Sequence, residues 1–141
     1  MKTLIDTNVI LDVLTSREPY VEYSSAFLKL CGVQLTGLMA ASQTTDIFYM
    51  LRREGQDSAS SRMVIQKLTE NVKVVNVTAA DVKNALASDM TDYEGALLSI
   101  VGKRQKVDYI ITRNEKDFRQ SHVLPLSPQA FLERYYYHPK T

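Results

Sequence analysis

Short β-favouring runs alternate with longer helical stretches along nearly the whole 141-residue chain. The first run, over residues 2–5, ends in Asp6-Thr7-Asn8, after which Val9, Ile10, Val13 and Leu14 fall at helical spacing. Pro19 precedes an apolar stripe over 20–30 that Gly32 is placed to stop. Residues 33–38 read as a second strand and 40–53 as a helix closed by Arg52 and Arg53. A helix over 58–68, a third strand over 72–77 and a helix from Thr78 to about residue 87 follow, the last opened by a box-like Thr78…Asp81 pair. Thr91-Asp92-Tyr93-Glu94 fits the full capping-box pattern, with Thr91 as the cap of a helix running through 105. Strands over 107–112 and 123–126 and a helix from Ser127-Pro128 to near 136 complete the order. Helical crossovers of this length join parallel strands, so the expected fold is α/β: a mostly parallel sheet of about five strands, covered on both faces, in one domain over 1–141.

Composition narrows the function. Lys plus Arg is 17 and Asp plus Glu is 16, a net charge of +1, which excludes a strongly basic coat but not a local basic patch around an acidic site. Cys31 is the single cysteine, and no Cys/His cluster has zinc spacing, an inventory that suits a reducing cytoplasm. No apolar run approaches the ~20 residues needed to span a bilayer. Asp6 and Asp12 interrupt the apolar N-terminus, so neither a membrane segment nor a secretory signal is expected.

In an open parallel sheet, ligands bind beyond the carboxyl ends of the strands. Asp6 lies at such an end. Asp117 follows the fourth strand within Arg113-Asn114-Glu115-Lys116-Asp117, Asp46 lies about two turns into the helix after the second strand, and Asp92 opens the helix before the fourth strand. No G-x-S-x-G turn or Walker loop accompanies them. Taken singly, an Asp ordinarily caps a helix or faces water. Four meeting at one mouth would repel one another unless a cation sat among them. Mg²⁺ or Mn²⁺ suits oxygen ligands and phosphate substrates, which points to metal-assisted hydrolysis of a phosphodiester.

Met1-Lys2-Thr3-Leu4-Ile5-Asp6-Thr7-Asn8-Val9, Asp92-Tyr93-Glu94-Gly95-Ala96-Leu97 and Ile110-Ile111-Thr112-Arg113-Asn114-Glu115-Lys116-Asp117-Phe118 together resemble the acidic motifs of a PIN domain, in the expected order and across essentially the whole chain. The resemblance implies a three-layer α/β/α sandwich and a metal-dependent endoribonuclease leaving 5′-phosphate and 3′-hydroxyl ends. It also implies RNA as substrate and, as in VapC-like toxins, an antitoxin protein as partner. It places Asp6, Asp46, Asp92 and Asp117 in the catalytic set, with Asp6, Asp92 and Asp117 on Mg²⁺ or Mn²⁺ and Asn114 nearby. Asp46 stands where the family usually has the longer Glu. Gly95 stands where many relatives have an Asp before the Ala-Leu pair, and Asp92 lies three residues earlier, on the same helical face. Gly95 favours the alternative of a catalytically weak PIN fold that binds RNA or a protein. A receiver-like signalling domain lacks its paired acids and late Lys here.

Around these acids, Thr7, Asn8 and Thr112 are candidates to orient a carboxylate by hydrogen bonding, with helix capping the other role for Asn8. Glu94 is a candidate of the same kind, although the capping box already explains it. Arg113, Lys116 and Arg119 are candidate phosphate-binding residues along an RNA strand; Arg52, Arg53, Lys103 and Arg104 read as solvated helix ends, and His122 as a loop residue. Restoring the acid, Gly95→Asp, is expected to tighten metal binding and to help the helix. The aromatic run Tyr135-Tyr136-Tyr137-His138 suggests core or subunit packing, and a homodimer using the C-terminal helix is expected.

Overall fold

The computed structural model describes residues 1–136, and within them five strands form one all-parallel sheet in the order β3-β2-β1-β4-β5. β1 is Lys2–Ile5, β2 Thr36–Ala40, β3 Val72–Val75, β4 Tyr109–Ile111 and β5 Pro125–Leu126. Helices α1 (Thr7–Leu14) and α2 (Val21–Leu30) link β1 to β2, α3 (Gln43–Arg53) and α4 (Ser58–Leu68) link β2 to β3, and α5 (Ala79–Leu86) and α6 (Tyr93–Arg104) link β3 to β4. A single 3₁₀ turn, Glu115–Phe118, precedes β5, and α7 (Pro128–Tyr135) closes the order.

Alternation along the strands builds the layers. Ile5, Met39, Val72, Tyr109 and Ile111 face one way and bury Val9, Ile10, Phe27, Ile47, Leu51 and Phe131 from α1, α2, α3 and α7. Leu4, Leu38, Ala40, Val75 and Ile110 face the other way, onto Leu98 and Val101 of α6 and Phe118 of the 3₁₀ turn. The result is the expected α/β/α arrangement. Tyr135 and Tyr136 pack onto Phe131 within the chain. Tyr137 and His138 lie outside the described residues.

β3, β4 and β5 are shorter than expected, and three further boundaries differ for reasons visible in the hydrogen bonding. β2 begins at Thr36 rather than Val33, because Gly32 takes φ +79° and its N–H closes a turn onto the Leu35 carbonyl (2.8 Å), leaving Val33 76% exposed. α3 begins at Gln43 rather than at residue 40, because the Ala41 N–H still bonds across to the Val75 carbonyl (2.8 Å). Asp92, not Thr91, caps α6, accepting from the Gly95 N–H at 2.8 Å. The Glu94 carboxylate that would have closed a box on Thr91 instead accepts a bond from the Thr7 hydroxyl (3.1 Å). At α5 the expected box is present: the Thr78 hydroxyl accepts from the Asp81 N–H and the Asp81 carboxylate from the Thr78 N–H.

Candidate active site

The chain leaves β1 outward to β2 and β3, then returns to the other side of β1 to form β4 and β5. The carboxyl ends of β1 and β4 therefore flank the point where strand order reverses, the place where an open parallel sheet opens a crevice. Asp6 follows β1 there and is 7% exposed. Its backbone caps α1 but its carboxylate does not, and the Thr112 hydroxyl, just past β4, donates to Asp6 Oδ2 at 2.8 Å. Thr112 Oγ1 also accepts from the Asn114 N–H (3.0 Å), so one hydroxyl ties the carboxylate to the following turn.

Glu94 comes to the same mouth from α6, through its bond from Thr7. Loss of water around its carboxyl pushes Glu94 above its ordinary range, the Thr7 bond opposes this, and the charges of Asp6, Asp46 and Asp92 add to the rise. Asp6 is raised as well, first by burial, against the Thr112 bond and with a contribution from Asp92. Glu94 thus lies within reach of the charges of Asp6, Asp46 and Asp92, and Asp6 within reach of that of Asp92. Asp46 lies in the first turn of α3, not two turns in, since the helix starts later than expected. Asp117 sits in the 3₁₀ turn, on a hollow of about 280 Å³ that it shares with Asp92, Lys116 and Arg119.

Two residues are engaged otherwise than the sequence suggested. Asn8 lies within α1, whose cap is Asp6. Arg113 does not stand free for phosphate: its Nε and Nη2 donate to the two oxygens of fully buried Asp12, at 2.7 and 3.0 Å, and its guanidinium lies 3.7 Å above the Tyr20 ring. Glu94, expected mainly as a capping residue, is the acid that reaches Thr7. Sequence reasoning also missed Gln43. Its buried amide donates to the Ile5 carbonyl (2.8 Å) and Thr7 Oγ1 (3.1 Å), and its oxygen accepts from the Ala40 N–H (2.7 Å), joining the ends of β1 and β2 under the site. A Gln three residues past a strand end is the signal that could have found it.

Gly95 is buried and tightly enclosed. A Cβ there would lie 3.0 Å from Asp92 Oδ2 and 3.5 Å from both the Asp117 carbonyl oxygen and the Met90 methyl. Among the described residues, no three acids, histidines or cysteines stand close enough to enclose a metal ion as arranged. The donors do suit a hard divalent cation. They are carboxylate oxygens, and their charges oppose one another in a way a cation would relieve.

A PIN domain family model matches residues 2–116. No curated protein matches the chain in sequence. Among solved structures, VapBC-1 from nontypeable Haemophilus influenzae is 15% identical with a TM-score of 0.68, over 92% of this chain and 99% of that one. A toxin-antitoxin complex from Klebsiella pneumoniae is 16% identical with a TM-score of 0.67, over 89% and 97%. A sarcin-ricin loop cleaving toxin from Mycobacterium tuberculosis is 13% identical with a TM-score of 0.62, over 77% and 86%. At such identities these structures speak for the fold, whereas the family model covers most of the sequence, from β1 into the 3₁₀ turn. With the acidic mouth at the reversal of strand order, the chain belongs to the PIN domain family.

Proposed function

We infer that this protein is a metal-dependent endoribonuclease, the toxin component of a toxin–antitoxin pair, acting on RNA in the cytoplasm. What supports this is the pair of carboxylates held at the switch point of the sheet, Asp6 by the Thr112 hydroxyl and Glu94 by the Thr7 hydroxyl, with Asp46 and Asp92 near enough to act on Glu94. Asp6, Asp92 and Asp117, with Glu94 and Asp46, would hold Mg²⁺ or Mn²⁺. A bound divalent ion supplies Lewis acidity toward the phosphodiester and steadies charge on the departing oxygen. Thr112 and Thr7 fix the facing oxygens of Asp6 and Glu94, so those ligands are oriented before an ion arrives. Lys116 and Arg119, on the hollow beside Asp117, meet the strand's phosphates. A homodimer and an antitoxin protein are the expected assembly.

Gly95 favours a second reading, a weakly catalytic PIN fold that acts by binding. The test is cleavage of a generic single-stranded RNA under Mg²⁺ or Mn²⁺ titration, by wild type and Asp6→Asn. Metal-dependent cleavage by wild type alone supports the nuclease. RNA or antitoxin binding without cleavage supports the second reading, and equal cleavage by both proteins places the activity elsewhere.

A further inference from the structure

Resting on the nuclease reading, we propose that Asp12 and Arg113 are a positioning couple that holds the Thr112 hydroxyl on Asp6. Asp12 is wholly buried on α1, and its Oδ2 also accepts a bond from the Ser24 hydroxyl of α2 (3.2 Å). Arg113 is the residue between Thr112 and Asn114. Its planar fork engages both Asp12 oxygens, and the Tyr20 ring lies against its face. The segment 112–114 is therefore gripped twice. Thr112 is bonded to Asp6 at the head of α1, and Arg113 to Asp12 further along the same helix.

A buried ion pair is a poor source of stability, because desolvation offsets its attraction, but its fork fixes direction. Thr112 is a short side chain whose hydroxyl meets Asp6 only if its backbone is held in place. The neighbouring Arg113 supplies that hold through Asp12, further along the helix that Asp6 caps. The role assigned to the couple is exerted through Thr112 and requires no contact of its own with RNA or metal.

The experiment replaces both charges together, Asp12→Leu with Arg113→Leu, so that no unpaired charge is left buried. Three quantities are read: amide exchange at Thr112 and Asn114, Mn²⁺ affinity by calorimetry, and kcat and KM on a single-stranded RNA. The expected result is a cooperative fold in which the two amides exchange at least tenfold faster. Mn²⁺ binding and kcat fall about tenfold, as in Thr112→Val, and KM stays level. Arg113→Lys, which keeps the charge but not the fork, should fall between, and it serves if the double variant does not fold. Unchanged exchange and Mn²⁺ affinity would overturn the proposal. So would a raised, salt-dependent KM with kcat intact, which would make Arg113 a phosphate ligand. If wild type neither binds Mn²⁺ nor cleaves RNA, the nuclease reading falls, while amide exchange still decides the couple.

Discussion

Two residues at the mouth carry opposite lessons about charge. Asp6 is held above its ordinary range chiefly by burial, so the folded state binds a proton more readily than the unfolded chain does. Its contribution to stability is complete below the ordinary carboxylate range and is lost as pH rises through the raised value. Asp6→Asn is therefore expected to abolish metal-dependent cleavage yet to melt higher than wild type at pH 7 in EDTA, with the difference closing toward pH 3. Chemical denaturation at both pH values checks this, and a variant less stable than wild type at pH 7 would contradict it. Gly95 reverses an expectation drawn from sequence. There an added acid looked helpful to a helix N-terminus, but the structure puts the new Cβ 3.0 Å from the Asp92 oxygen that caps α6. Gly95→Asp must push that oxygen back by a few tenths of an ångström, straining the cap, and sets two carboxylates side by side. A loss of about 1 kcal/mol without metal is expected, partly recovered by Mn²⁺; urea melts with and without the ion measure it.

The same logic of caps and charges governs the elements. Asp81 closes the capping box of α5, and Arg104 at the end of α6 binds both its oxygens at 2.8–3.2 Å while also donating to the Asn76 carbonyl. Burial alone would raise Asp81, but Arg104 and Thr78 outweigh it and hold the carboxylate below its ordinary range. Its stabilisation is thus present above the ordinary value and lost as pH falls through the depressed one. Asp81→Asn should cost about 2 kcal/mol at pH 7 and progressively less in acid, a trend that denaturant midpoints across pH follow directly. Two capping signals, Thr78…Asp81 and Ser127-Pro128, were legible in sequence because their partners lie within one turn. The order of strands and helices was legible for a related reason, since burial on each face repeats along each element. What sequence could not show was long-range choice. Glu94 had a local partner in Thr91 and a distant one in Thr7, and the distant one won. Arg113 and Asp12 are 101 residues apart, and Asp12 looked like nothing more than a break in an apolar run. Gln43 joins two strand ends that only the folded sheet brings together.

At the scale of the molecule, the parallel sheet sets both the place and the weakness of the site. Every strand delivers its carboxyl end to one edge, and the reversal of order between β1 and β4 opens that edge beside Asp6. Acids from α3, α6 and the strand ends are then fixed near one another by elements whose cores lie on opposite faces of the sheet. Their repulsion acts across the interfaces between layers. An ion bound among them should tighten the whole chain, because it binds the folded state and finds no such arrangement in the unfolded one. At a hundredfold excess over its dissociation constant, such an ion contributes about 2.7 kcal/mol. A domain of this length gains roughly 4 °C in melting midpoint per kcal/mol, so Mn²⁺ is expected to raise the wild-type midpoint by about 10 °C. Calorimetric scans in Mn²⁺ and in EDTA make the comparison. Asp6→Asn should start higher in EDTA and gain much less from the ion, since it has lost both the repulsion and a ligand. An equal rise in the two proteins would place the ion away from β1, and with it the chemistry proposed for this mouth.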